Sequence, residues 1–156
     1  PVIYISTGSW DTYSFLRRFL AKHRFPNGPM LLTDWGPTNT GFFRSGTDHK
    51  ANTLQQIAQT FPNISWVLIG DDGQHDLEIY STFSQGAPHL VRAIAIRQLS
   101  PTEQVLAHGT LTPLDEQTTI SKVVPTVLAR DGRGLLAGLR TILKKRPKSA
   151  PGSERK

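Results

Sequence analysis

Three aspartates stand close together in the stretch Trp66 to Asp76, which reads WVLIGDDGQHD: Asp71, Asp72 and Asp76. Carboxylates crowded in this way repel one another unless something positive lies among them. A hard cation such as Mg²⁺ is the natural candidate, because it works with one or two carboxylates plus a substrate phosphate. The apolar run Trp66-Val67-Leu68-Ile69 ahead of them reads as a strand buried on both faces of a parallel sheet, ended by Gly70. Chemistry in open α/β sheets collects just beyond the carboxyl ends of such strands. A turn made by Asp71 and a helix cap made by Asp76 would account for the same residues without a metal.

Two further positions could handle phosphate. Ser6 closes a short apolar strand, Val2 to Ile5, where a hydroxyl and nearby backbone N–H groups can hold a phosphate oxygen. A turn or capping serine reads the same way. Lys50 is expected at the start of a helix, an unfavourable end for a cation. Neutralising carboxylates or a phosphoryl group would explain it there, and so would simple solvation. Asp34-Trp35 follows a second strand and would orient a substrate or begin a turn. His49 and His75 titrate near neutral pH and rank below the aspartates. Neither a Gly-rich nucleotide-binding loop nor a GxSxG elbow is present.

The elements that must position these residues alternate. Strands are expected at Val2–Ile5, Met30–Leu32, Trp66–Ile69, Leu90–Ile96 and Val123–Ala129, the last interrupted early by Pro125. Helical spacing runs from Trp10 to His23 with Ser9 as N-cap, from His49-Lys50 with Leu54, Ile57, Ala58 and Phe61 on one face, from Leu77 to Phe83 and from Gly132 to Lys144. Pro37 to Thr47 reads as a mobile, partly exposed loop whose Phe42 and Phe43, with Trp35, could form an apolar lip. Ser100 to Ser121 reads as a loop with at most a short helix. The order is that of a wound, mostly parallel α/β sheet, with Ser6, Asp34 and Asp71 sharing its carboxyl rim.

Composition narrows the class. A chain of 156 residues with 37% apolar content is long enough for one sizeable core, and no apolar run reaches the length of a membrane span. Without cysteine, disulfides, zinc–thiolate sites and thiol catalysis are excluded. The net charge of +6 resides wholly in residues 140–156, where seven basic residues face Glu154, and the remainder balances at 11 against 11. This tail reads as solvated and open to peripheral contact with anionic membranes. The neutral body, lacking a basic-aromatic stripe, argues against a nucleic-acid partner. A cytoplasmic location fits this composition.

The segments YISTGSW, GPMLLTDWG, HK and WVLIGDDGQHDLEIY resemble the phosphatidate phosphatase catalytic domain of the actin-patch-associated protein type, a branch of the haloacid-dehalogenase-like superfamily. The resemblance covers about Val2 to Arg97. It implies a Rossmann-like, three-layer α/β/α phosphatase domain over residues 1–145, followed by a basic tail at 146–156. By the same resemblance, Ser6, with Thr7 and Asp34, binds a phosphorylated small molecule or lipid. Lys50 stabilises the transferring phosphoryl group, and Asp71 with Asp76 holds Mg²⁺; Asp72 stands where relatives often carry Ser. The superfamily's DxDxT motif, which supplies the nucleophile, does not occur here. The expectation is therefore a domain missing its first strand, cut from a longer protein and inactive alone, or else a non-catalytic Mg²⁺- and phosphate-binding module.

Overall fold

The structure, a computed structural model, describes residues 1–33, 42–73, 75–108 and 123–144. Helices and strands alternate along the chain, which divides into two compact units, Pro1–Ile64 and Ser65–Lys156.

In the first unit, β1 (Tyr4–Ser9) pairs in parallel with β2 (Met30–Thr33). Tyr4 lies opposite Met30 and Ile5 opposite Leu31, but the next matched pair is Ser9 with Thr33, so the ladder is irregular across Ser6 to Gly8. The strand runs past Ile5, where the sequence was expected to end it, because Thr33 Oγ1 donates to the carbonyls of Thr7 (2.9 Å) and Gly8 (3.2 Å) and ties this stretch to β2. A short 3-10 turn, Trp10–Thr12, is capped as expected by Ser9, whose Oγ accepts the Asp11 N–H at 3.4 Å. Helix α1 (Tyr13–Lys22) follows.

Helix α2 (Phe42–Thr60) packs on β1 and β2. It begins well before His49, so the loop expected through Thr47 is helical from Phe42. Once a helix is nucleated, each further residue adds one hydrogen bond, and polar residues can extend a segment whose other end is held by packing. The buried stripe of α2 is Lys50, Thr53, Leu54 and Ile57, at i, i+3, i+4 and i+7.

The second unit holds β3 (Trp66–Asp71), β4 (Val91–Arg97) and β5 (Thr126–Ala129), all parallel, in the order β3-β4-β5. Between them lie α3 (Asp76–Gly86) and α4 (Pro101–His108), with α5 (Gly132–Lys144) last. The core is the central strand: Ala93, Ile94, Ala95 and Ile96 have no exposure. Helix α3 packs on β3 and β4, and α5 on β4 and β5.

Every strand pair among the described residues is parallel, as expected, with β1-β2 in the first unit and β3-β4-β5 in the second. Gly70 does not end β3, which continues to Asp71 because both residues pair with β4. Nor is β3 buried on both faces. Among the described residues it is a terminal strand of its sheet, and Ile69 is 61% exposed. Pro125 precedes β5 instead of interrupting it, and its carbonyl accepts the Ile94 N–H at 3.0 Å. Residues 109–122 and 145–156 lie outside the described residues, with the greater part of the polar segment after Ser100 and the basic tail.

Candidate functional site at the end of β3

The second unit places Asp71 as the last residue of β3 and Asp76 as the first of α3. Asp71 Oδ1 accepts the Gly73 N–H at 2.9 Å, an Asx turn that bends the chain away from the sheet. Asp76 is 5% exposed, and its Oδ2 accepts the Asp71 N–H at 3.4 Å. That approach requires Gly70. A Cβ there would come within 2.8 Å of Asp76 Cβ and 2.9 Å of Cγ, closer than real carbons approach, so only a residue without a side chain leaves the carboxylate its place. A negative side chain in the first turn of α3 is also favoured by the helix dipole.

The acids act on a neighbouring phenol. Burial first, then the charges of Asp76 and Asp71, push the Tyr80 phenol well above its ordinary range. The phenol thus remains a donor, and it donates to the Ile69 carbonyl at 3.2 Å. Next to Asp76, His75 holds a left-handed backbone (φ 25°), a strained conformation for a residue other than glycine. Its Nδ1 lies 3.3 Å from Glu78 Oε2, with both side chains exposed.

Asp72, the third aspartate, turns to a different task. Its Oδ1 accepts the Leu99 N–H at 2.7 Å, and its own N–H donates to the Arg97 carbonyl at 3.0 Å, fastening the turn after β3 to the chain leaving β4. Arg97 stands opposite Asp71 in the β3–β4 register and pairs with Glu103. Its Nε donates to the Arg130 carbonyl at 3.3 Å. The hydrogen bond to Glu103 and then that residue's charge raise the guanidinium pKa, with Asp71 and Asp72 adding to the effect. Sequence reasoning gave Arg97 and Glu103 no role. The signal was present in Ser100-Pro101-Thr102-Glu103, a capping box with proline at the first helical position. In it Ser100 N–H donates to Glu103 Oε2 at 2.9 Å, and Glu103 N–H donates to Ser100 Oγ at 3.4 Å.

The first unit carries the other candidates. Ser6 lies inside β1 instead of beyond it, at the irregular stretch, and its Oγ accepts the Gly8 N–H at 3.0 Å. Thr7 follows it, its carbonyl held by Thr33. Lys50 is 8% exposed and lies well inside α2, not at its start, so the unfavourable helix end invoked from the sequence does not apply to it. Its burial follows from its place on the helix stripe that faces the core. A buried ammonium is costly unless opposite charge or hydrogen bonds compensate it. His49 is half-buried, with Nε2 3.4 Å from the Leu31 carbonyl. Asp34 lies outside the described residues.

Among the described residues no group of three or more His, Cys, Asp or Glu is disposed to hold a metal ion. The Asp71–Asp76 pair nevertheless fits Mg²⁺ by its donor chemistry. It offers carboxylate oxygens only, from two residues, and Mg²⁺ commonly takes one or two carboxylates and completes its shell with water and phosphate. No described helix is long and apolar enough to cross a membrane.

Fold and site define an α/β protein whose acidic residues gather at the carboxyl end of a parallel strand. The chain belongs to the family described as Phosphatidate phosphatase APP1, catalytic domain, which matches residues 1–98. The matched region includes Ser6, Thr7, Asp34, Lys50, Asp71 and Asp76, so the resemblance read from the YISTGSW and WVLIGDDGQHD segments is borne out. Over 95 residues the chain is 32% identical to Phosphatidate phosphatase APP1 of Saccharomyces cerevisiae. That alignment covers 60% of this chain and only 16% of the yeast protein. No solved structure matches the chain.

Proposed function

We propose that the chain is part of a Mg²⁺-dependent phosphatase domain that hydrolyses phosphate monoesters, with phosphatidate as substrate and diacylglycerol as product. The observation that carries this reading is the acid pair at the end of β3, with Asp76 seated over Gly70 and accepting the Asp71 N–H. The family match and the printed name of the yeast relative support the substrate class. In this reading Asp71 and Asp76 hold Mg²⁺, which when bound neutralises charge on the phosphoryl oxygens. Ser6, Thr7 and Asp34 bind and orient the phosphorylated substrate, and Lys50 offsets the negative charge of the transferring group.

The fold is proposed to be Rossmann-like, of the haloacid-dehalogenase type, with the strand that bears the nucleophilic aspartate outside this chain. Catalysis runs through an aspartyl-phosphate, formed when that carboxylate attacks phosphorus and opened by water. One observation supports an absent strand: among the described residues the apolar strand β3 is terminal in its sheet, with Ile69 uncovered. Terminal strands of that composition invite pairing.

The lack of any DxDxT motif favours a second reading for the isolated chain, a module that binds Mg²⁺ and phosphate without turnover. One assay separates the two. The complete parent protein should hydrolyse phosphatidate only with Mg²⁺, and Asp71→Asn should lower turnover by about 10²–10³-fold. The 156-residue chain alone should show none. Turnover by the isolated chain would refute the absent-strand reading, and an inactive parent protein would favour the binding module.

A further inference from the structure

Helix α1 presents two faces of different character. Tyr13, Leu16 and Leu20 are half-buried on its inner face, and no residue of the helix is fully buried. Its outer face carries Phe15, Arg18, Phe19 and Lys22, at i, i+3, i+4 and i+7, all open to solvent. Phe15 is 64% and Phe19 45% exposed, and the two rings stack with centroids 6.5 Å apart. Phe19 also lies against the His23 ring, at 4.4 Å. Trp10 and Phe25, just before and just after the helix, are each half exposed. Arg24 adds to the positive charge, while Arg17 turns to the Tyr13 hydroxyl at 2.9 Å, and Asp11 is the only acidic residue in the first 33.

An outward stripe of aromatics alternating with cations is poorly suited to water and well suited to the boundary of an anionic bilayer. There the rings enter the acyl margin, while Arg and Lys stems lie along it with their charges at the headgroups. We infer that the outer face of α1 is a membrane-docking surface for anionic lipid. The occupant follows from charge. A protein partner for two phenylalanines would not call for Arg18 and Lys22 between and beside them with Arg24 close by, whereas a negatively charged surface attracts each one.

The docking is separate from the basic tail and requires no turnover, so it can fail while the phosphatase reading stands. The test is sedimentation of the 156-residue chain with vesicles of phosphatidylcholine, alone or mixed with phosphatidylserine, without phosphatidate or Mg²⁺. Binding to the mixed vesicles only is expected. Phe15→Ser/Phe19→Ser and Arg18→Glu/Lys22→Glu should each lower binding by about tenfold or more. Both pairs replace exposed side chains, and far-ultraviolet circular dichroism should confirm that the fold is kept. Removal of residues 145–156 should leave most of the binding. Unchanged binding in both variants would overturn the inference, as would complete loss on removing the tail. A concentration-dependent dimer that Phe15→Ser/Phe19→Ser dissolves, without vesicle binding, would overturn it in favour of self-association.

Discussion

The polar stretch at the end of β3 and the one within β1 are built in opposite ways. At the end of β3 the backbone itself holds the acids: Gly73 donates to Asp71, Asp71 donates to Asp76, and Gly70 leaves the space between. Along β1 the Ser6 hydroxyl accepts from Gly8 two residues on, within a stretch whose ladder is already irregular. A Cβ at Gly8 would meet only the Ser6 and Thr12 hydroxyl oxygens, at 3.3 and 3.4 Å. The acids are thus coupled to the fold, whereas the hydroxyl sits where the chain can yield. Fixed charges require such support, because a displaced carboxylate loses its place toward a cation.

This contrast can be broken most directly through activity. In the parent protein, Ser6→Ala should cost about tenfold, one hydrogen bond's worth, against the far larger loss at Asp71. Equal losses in a phosphatidate assay would erase the distinction. In stability, Gly70→Ala should destabilise by about 1–3 kcal/mol because Asp76 must move. Gly8→Ala should cost less than about 1 kcal/mol, since rotating hydroxyls can give way. Urea midpoints of the two variants measure the difference directly. A smaller effect is expected around the acid pair: Tyr80→Phe, which removes the donor to the Ile69 carbonyl, should cost about 1 kcal/mol by the same measurement.

The smallest effect concerns pH. The Ser100 N–H, then the Arg97 guanidinium and the Ser100 hydroxyl, hold the Glu103 carboxyl down to about 2, from an ordinary 4.5. A depressed folded pKa gives a contribution present above 4.5 that is lost as pH falls toward 2. The protection factor of the Ser100 amide, taken against its intrinsic exchange rate at each pH, should therefore fall over that window, and Glu103→Gln should remove that fall. A flat profile in the unmodified chain would show that the capping box does not hold the start of α4.

Much of the chain was legible because its patterns are local. The apolar runs gave β2 to within one residue and β4 shifted by one, and the leucine periodicity gave α5 at its observed bounds. The wrong boundaries share a cause. Val2 to Ile5 reads as the whole first strand because Ser, Thr and Gly follow it, yet side-chain bonds from Thr33 keep that polar stretch in the strand. Lys50 reads as a helix start because charged residues and a Gly-rich stretch precede it. The helix in fact begins at Phe42, so position along the dipole was the wrong argument and burial the right one. Asp72 is indistinguishable from Asp71 by type and spacing, and only the Leu99 amide marks its separate role.

By itself the sequence determined the alternation of helices and strands, the crowding of carboxylates behind an apolar strand and the family to which the chain belongs. All three rest on the identity and order of neighbouring residues. Tertiary structure alone decided which aspartates pair, that Lys50 is buried, that β3 is terminal among the described strands of its sheet and that one face of α1 stays open. Those outcomes depend on contacts between residues distant along the chain, where packing and hydrogen bonding override local preference.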